Sequence, residues 1–257
     1  MAFIEVNHVS KTYKTEGKAF TALHDVSLSV DKGEFICLLG PSGCGKTTLL
    51  NALAGFEQVD SGSVVIDDKP VTKPSSEYVT IFQNYGLLPW QTVEKNVMLG
   101  LWAKGVPEAE ARKTAHTYLD MVGLSAFKNY RPAQLSGGMQ QRVSIARALA
   151  VEPKILFMDE PFGALDAITR MKMQDDLHDL AERQHITIIF VTHDIEEAII
   201  LADRVVIMTP NPGHIKEIVP ITLGTHRNRT ATDFLAIRDK IFNIFEMKPE
   251  ENLEYYL

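Results

Sequence analysis

One stretch limits the possible folds more than any other: Gly40-Pro41-Ser42-Gly43-Cys44-Gly45-Lys46-Thr47, set between the apolar run Phe35–Leu39 and the helical segment Thr47–Ala54. A glycine-rich turn between a buried strand and a helix lets backbone amides converge on one anion, and the helix dipole adds to the attraction. Lys46 supplies a point charge for phosphate oxygens, and the Thr47 hydroxyl can ligate Mg²⁺. A second stretch, Leu135-Ser136-Gly137-Gly138-Met139-Gln140, also opens a helix with a serine and two glycines. One phosphate cradle is enough for one nucleotide, so the second needs its own explanation.

Four apolar, β-branched runs end in residues with chemical potential: Phe35–Leu39 before Gly40, Tyr78–Phe82 before Gln83, Ile155–Met158 before Asp159-Glu160, and Ile186–Val191 before Thr192-His193. Continuous apolar runs of this length are strands buried on both faces. Open parallel sheets bind ligands at the carboxyl ends of their strands, so these endpoints predict one shared site. Helices are expected at Thr47–Ala54, Pro107–Val122, after Leu135–Gly138, from Leu165 to about Gln184, and at Ile195–Ala202 with Asp194 as N-cap. In the third of these, Met139, Val143, Ala146 and Ala150 share a face. Before residue 35 the alternation of Ile4 and Val6, then Val26, Leu28 and Val30, predicts antiparallel strands. Val205–Met208 and Ile215–Val219 form a hairpin around Pro210-Asn211-Pro212-Gly213, and residues 231–246 an amphipathic helix before the acidic tail Glu250–Leu257.

At 257 residues and 45% hydrophobic content, the chain can bury a full core with a smaller subdomain. A net charge of −7 argues against a broad grip on nucleic acid. Two cysteines, Cys37 and Cys44, are too few for a disulfide framework or a zinc cluster, and fit reduced thiols in cytosol. No signal peptide is visible, and no run approaches the roughly 18 apolar residues of a membrane helix.

Asp159, at a strand end beside the phosphate loop, is the expected Mg²⁺ anchor. Strand alternation turns Glu160 the other way, toward an attacking water as general base. His193 ends the neighbouring strand at a matching height. Tyr13 can stack on a base or belong to the core. His178 and His185 have no third ligand and read as solvated.

In order and spacing these residues resemble the ATPase subunits of ABC transporters, over about residues 3–220. The resemblance implies an α/β fold: a P-loop NTPase core with a mainly parallel sheet, an N-terminal antiparallel β subdomain and a helical subdomain. Residues 1–222 would form the nucleotide-binding domain, with the helical part inserted at about 86–152, and residues 223–257 a C-terminal helix and tail. It further implies that Gly40, Pro41, Ser42, Gly43, Cys44, Gly45, Lys46, Thr47 and Thr48 bind ATP. Tyr13 stacks on adenine, Thr47, Gln83 and Asp159 serve Mg²⁺, and Glu160 and His193 act in hydrolysis beside Lys46 and Gln83. Ser136, Gly137 and Gly138 complete the site of a second subunit, and Asp166 lies in the loop coupling the two. Met139 stands where the widespread signature has glutamine, and Gly163-Ala164 where a serine is common.

The segments 82–90 and 159–166 look most like importers of nitrate, sulfonate, taurine and bicarbonate. That implies a homodimer, or a dimer with a paralogous ATPase, peripheral on the cytoplasmic face of the inner membrane beneath permease subunits and, indirectly, a substrate-binding protein. Leu87, Leu88, Trp90 and Val93 could form an apolar groove for a permease helix or ordinary core. The competing readings are an exporter subunit, a soluble ABC-type ATPase of translation or DNA repair, and a GTPase or small-molecule kinase. The soluble ATPases usually carry two units per chain, and a GTPase would want N-K-x-D; neither pattern is found. Cys44, inside the phosphate loop, is expected to be alkylated in competition with ATP.

Overall fold

The computed structural model describes residues 2–15, 18–75, 77–82, 85–224 and 227–246. Gln83 and the acidic tail 250–257 lie outside the described residues.

The N-terminal strands β1 (Ile4–Thr15) and β2 (Lys18–Val30) pair antiparallel and are longer than their alternation suggested. Register shifts between Val6 and Thr12 break the period of two, which hides strand length from a pattern search. β3 (Phe35–Leu39) leads through loop 40–45 into α1 (Lys46–Leu53). Two strands then follow that the pattern did not mark, β4 (Ser61–Ile66) and β5 (Lys69–Pro70). β4 extends the antiparallel sheet between β1 and the edge strand β5 but buries only Val64 and Ile66.

After β6 (Tyr78–Ile81) come α2 (Val93–Ala103), α3 (Glu108–Met121) and α4 (Gly137–Ala150), which pack on one another. The chain returns through β7 (Ile155–Asp159), α5 (Ala167–Gln184), β8 (Thr187–Thr192), α6 (Ile195–Leu201), β9 (Arg204–Thr209) and β10 (His214–Pro220), and adds α7 (Thr232–Glu246). The second sheet runs β10-β9-β3-β8-β7-β6, parallel except for β10.

The central strands are buried on both faces, and their alternate residues fill two cores. Phe35, Cys37, Leu39, Leu156, Met158, Ile188 and Phe190 join the core shared with the helices. Ile36, Leu38, Ile155, Phe157, Ile189 and Val191 join the one built with α1 and the antiparallel sheet. Burying one such side chain contributes roughly 1.5–3 kcal/mol, so the sheet's centre is tightly specified. Its register aligns Leu39 with Thr192 and Asp159 with Val191. The residues just beyond β3, β7 and β8 are thereby brought to one edge.

Of the two readings of the apolar segment 87–93, ordinary core holds for Val93, which is buried, and for Leu87, half-buried against it, whereas Trp90 is 66% exposed. His178 is half-buried rather than solvated, and burial lowers its pKa. His185 is exposed and ends α5 in a left-handed turn.

Candidate functional site

The phosphate loop is shaped by what surrounds it. Gly45, the N-cap of α1, has φ of 93°, and a Cβ there would sit 2.6 Å from the Ala22 carbonyl oxygen. Glycine is required by conformation and by space. With Tyr13, Phe20, Ala22 and Glu160, residues 42, 43 and 45–48 line an open cleft of about 360 Å³. Pro41 is exposed, and Gly40 is buried at the loop's base. The Lys46 ammonium folds inward, donating to the carbonyl oxygens of Gly40 (2.7 Å) and Pro41 (3.1 Å). Two carbonyls at one charge define a polar cradle sized for that ammonium.

Thr47 Oγ1 donates to both carboxylate oxygens of Asp159, at 3.0 and 3.3 Å. Burial pushes the Asp159 carboxyl up from the usual carboxylate range, with the Thr47 hydrogen bond opposing the shift. A hydroxyl and a carboxylate side by side are hard oxygen donors, the set Mg²⁺ accepts when waters and phosphate oxygens complete its shell. Among the described residues no group of three His, Cys, Asp or Glu side chains could hold a metal alone. The pair therefore fits a metal that arrives with a phosphate.

Glu160 has left the strand. Its φ of 45° lies in the left-handed region, which costs a non-glycine residue on the order of 1–3 kcal/mol. Its amide donates to the Val191 carbonyl (3.1 Å), and its carboxylate stands 3.2 Å from His193 Nδ1. The side chain reaches the cleft because of this turn, not through strand alternation as the sequence suggested.

Tyr13 donates from its hydroxyl to Glu57 (3.2 Å), and the Lys11 ammonium lies 5.3 Å from its ring centroid. Phe20, its cross-strand partner, is 52% exposed at the same cleft. Tyr13 stands out in the sequence and Phe20 does not, although both are aromatics in adjoining strands. Cys44 corrects another expectation. Its side chain is fully buried, and burial raises the thiol pKa, so it offers alkylating reagents neither access nor thiolate.

The second glycine stretch lies elsewhere on the surface. Ser136 caps α4 by accepting from the Met139 amide (3.3 Å); Ser136 and Gly137 are exposed, and none of residues 135–140 lines the cleft. A Cβ on Gly137 would come within 2.8 Å of the Tyr85 hydroxyl. Arg147 of α4 donates to the carbonyls of Tyr85 (3.0 Å) and Gly86 (2.7 Å), tying the segment after residue 84 to this helix. Asp166 caps α5 through the Thr169 amide (3.0 Å), a bond that holds its carboxyl below the usual range.

These features, taken in chain order, have counterparts. Residues 23–163 match the family described as ABC transporter. The chain belongs to the ABC transporter family as an ATP-binding subunit. It is 46% identical over 232 residues to the nitrate import ATP-binding protein NrtD of Synechococcus elongatus, covering 89% of this chain and 85% of the relative. It is 47% identical over 231 residues to the bicarbonate transport ATP-binding protein CmpD of Synechocystis sp., covering 89% and 82%. A solved dimeric ATP-binding cassette in a post-hydrolysis state with ADP and Pi superposes with a TM-score of 0.79 at 35% identity, over 86% of this chain and 100% of that one. The fold is that of an ABC ATPase, as the resemblance implied, and the activity is ATP hydrolysis.

One buttress of this ATPase site escaped the sequence reading. A Cβ on Gly213 would fall 2.4 Å from the Cys44 carbonyl oxygen and 2.3 Å from that of Ala22. The β9–β10 turn thus packs directly against the phosphate loop. Its Pro-Asn-Pro-Gly composition announced a turn but not what the turn touches.

Proposed function

We propose that this chain is the energy-coupling ATPase of a bacterial importer for a small anion, working as a head-to-tail dimer beneath separate permease subunits. The observation that carries the reading is the placement of two anion-binding features on different surfaces: loop 40–48 in the cleft, and exposed Ser136 and Gly137, with half-buried Gly138, outside it. A second copy's Ser136 and glycine amides would close over the ATP held by the first. Such donors, aimed at developing charge, are worth roughly 3–4 kcal/mol, or 10²–10³ in rate.

In this reading the loop amides and Lys46 hold the β- and γ-phosphates. Thr47 and Asp159, with Gln83, would hold Mg²⁺, which when bound neutralises charge on the phosphate oxygens. Glu160 takes the proton of the attacking water, and His193 keeps the carboxylate aimed while contacting the γ-phosphate. Tyr13 or Phe20 stacks on the base, and Asp166 couples the two sites. Residues 1–222 form the ATPase domain, with a helical insertion at about 86–152, and residues 223–257 an appended helix and tail.

Nitrate and bicarbonate, named for the relatives, are the favoured cargo class, with sulfonate and taurine beside them. No described helix is long and apolar enough to cross a membrane; in this reading the anion is carried by separate permease subunits. Exposed Trp90, and separately the exposed, tilted Phe56–Phe82 pair (5.4 Å between centroids), are apolar side chains available to them on the cytoplasmic face. The decisive test is ATPase activity per subunit against protein concentration. A rise toward a plateau supports the dimer; a constant value from dilute to concentrated solution overturns it. Uptake of labelled nitrate or bicarbonate by cells lacking this chain tests the cargo.

A further inference from the structure

A buried acid stands behind the end of β8, and the chemistry above makes no use of it. Glu197 of α6 is 6% exposed, and its neighbours Thr192 and Gln174 are 2% exposed each. Glu197 Oε2 accepts from Thr192 Oγ1 at 2.5 Å, and the same Thr192 oxygen accepts from the Asp194 amide at 3.0 Å. The Glu197 amide in turn donates to Asp194 Oδ1 at 3.1 Å. His193 is therefore the one residue lying between two that are both tied to Glu197.

The other carboxylate oxygen accepts from Gln174 Nε2 (2.9 Å), whose own oxygen accepts from Arg229 Nη2 (2.6 Å). Arg229 precedes α7, and Glu196 lies 4.0 Å from its Nε. A chain of hydrogen bonds thus runs from the C-terminal segment through α5 to the residues flanking His193.

A carboxyl taken out of water costs stability unless its surroundings compensate. Here its direct partners are a hydroxyl and an amide, and burial holds its pKa above the usual range. The Asp194 side chain caps α6 through a backbone amide, a contact that any residue but proline at position 197 would provide. Capping therefore does not account for an acid at that position.

We infer that Glu197 is a positioning residue for His193. Its carboxylate locks the Thr192 hydroxyl, which in turn holds the Asp194 amide, so that the imidazole between them is presented 3.2 Å from Glu160, and Gln174 and Arg229 hold Glu197 itself. The inference rests on the reading of His193 as a residue of the hydrolytic site. Displacement on the scale of an ångström at such a site can cost about 10²-fold in rate.

The test is a double-mutant cycle on the full chain, with kcat for Mg²⁺-ATP hydrolysis, ATP affinity and thermal midpoint measured for each protein. Glu197→Gln should lower kcat by about tenfold to a hundredfold, with ATP affinity and thermal midpoint retained. In a His193→Ala background the same change should leave kcat where His193→Ala alone puts it. An equal fold-loss with and without His193 would overturn the inference, as would a loss that tracks a lowered midpoint and weakened ATP binding. If His193→Ala alone leaves kcat unchanged, the reading of His193 fails, and the inference falls with it. Thr192→Val breaks the same chain from the other end and replaces Glu197→Gln in the cycle should that protein not fold.

Discussion

His193 Nδ1 lies 3.2 Å from Glu160 Oε1, and the two residues reach that distance from the ends of different strands. Strand pairing alone does not bring them together. Glu160 must adopt its left-handed turn, and the Thr192–Asp194 segment must hold its shape. The contact gives Glu160 a fixed direction beside the phosphate loop, the requirement for a general base whose water has a defined approach.

Replacing Glu160 by Gln keeps the shape and removes the proposed base. ATP hydrolysis should fall by about 10²–10⁴, ATP affinity should persist, and a nucleotide-bound dimer should accumulate on size exclusion. Unchanged steady-state turnover would remove Glu160 from the base role.

Asp159 gives a pH dependence whose sign is fixed by its environment. Its folded pKa is raised, chiefly by burial, so protonation begins at a higher pH than for an ordinary carboxylate. Mg²⁺-dependent ATP binding should therefore weaken as pH falls toward that raised value, because the proton competes with the metal. The ligand-free fold responds oppositely. Ionisation costs more folded than unfolded, so this group's penalty is relieved as pH falls and is present in full above the folded pKa. Asp159→Asn should abolish both trends; titration calorimetry and thermal melts across pH would check them.

Both cysteines should be silent in the native protein. Cys37 and Cys44 are free and buried, and burial raises both thiols. A chromogenic disulfide reagent should titrate no rapid thiol before unfolding and two after it, at rates indifferent to ATP. Rapid native labelling at Cys44, slowed by ATP, would show the loop to be open at that side chain.

Gly213→Ala puts a methyl group within 2.4 Å of the Cys44 carbonyl oxygen. Relief requires movement of the hairpin turn or of the phosphate loop, at about 1–3 kcal/mol. We expect a lowered melting temperature together with weaker ATP binding. A melt and an affinity equal to those of the unaltered protein would mean that the turn does not support the loop.

The parts of this architecture that were legible in sequence are those specified by continuous patterns. β3, β7 and β8 announced themselves as apolar runs because they are buried on both faces, and α7 by its amphipathic period. α2 was missed because Leu87, Leu88, Trp90 and Val93 read as one apolar patch. In fact Val93, Val97, Met98 and Leu101 form the buried stripe of a helix capped by Thr92. β4 was missed because half of it faces water. Within the candidate site, the phosphate loop, Asp159, Glu160 and His193 stood out by spacing. Phe20, Gly213 and Glu197 did not, since each matters through a neighbour distant in the chain. The turn at Glu160 was also unreadable, because left-handed backbone is normally signalled by glycine or asparagine.

The alternation of β3, β7 and β8 between two cores has a consequence for how such a chain can change length. One residue inserted within β8 would exchange its inward faces, sending Ile188 and Phe190 to the layer now filled by Ile189 and Val191. Two residues would restore that parity yet carry His193 roughly 6.6 Å along the strand, out of reach of Glu160. Length variation among working descendants of this sequence should therefore be confined to the connections, with the central strands keeping a fixed count of residues.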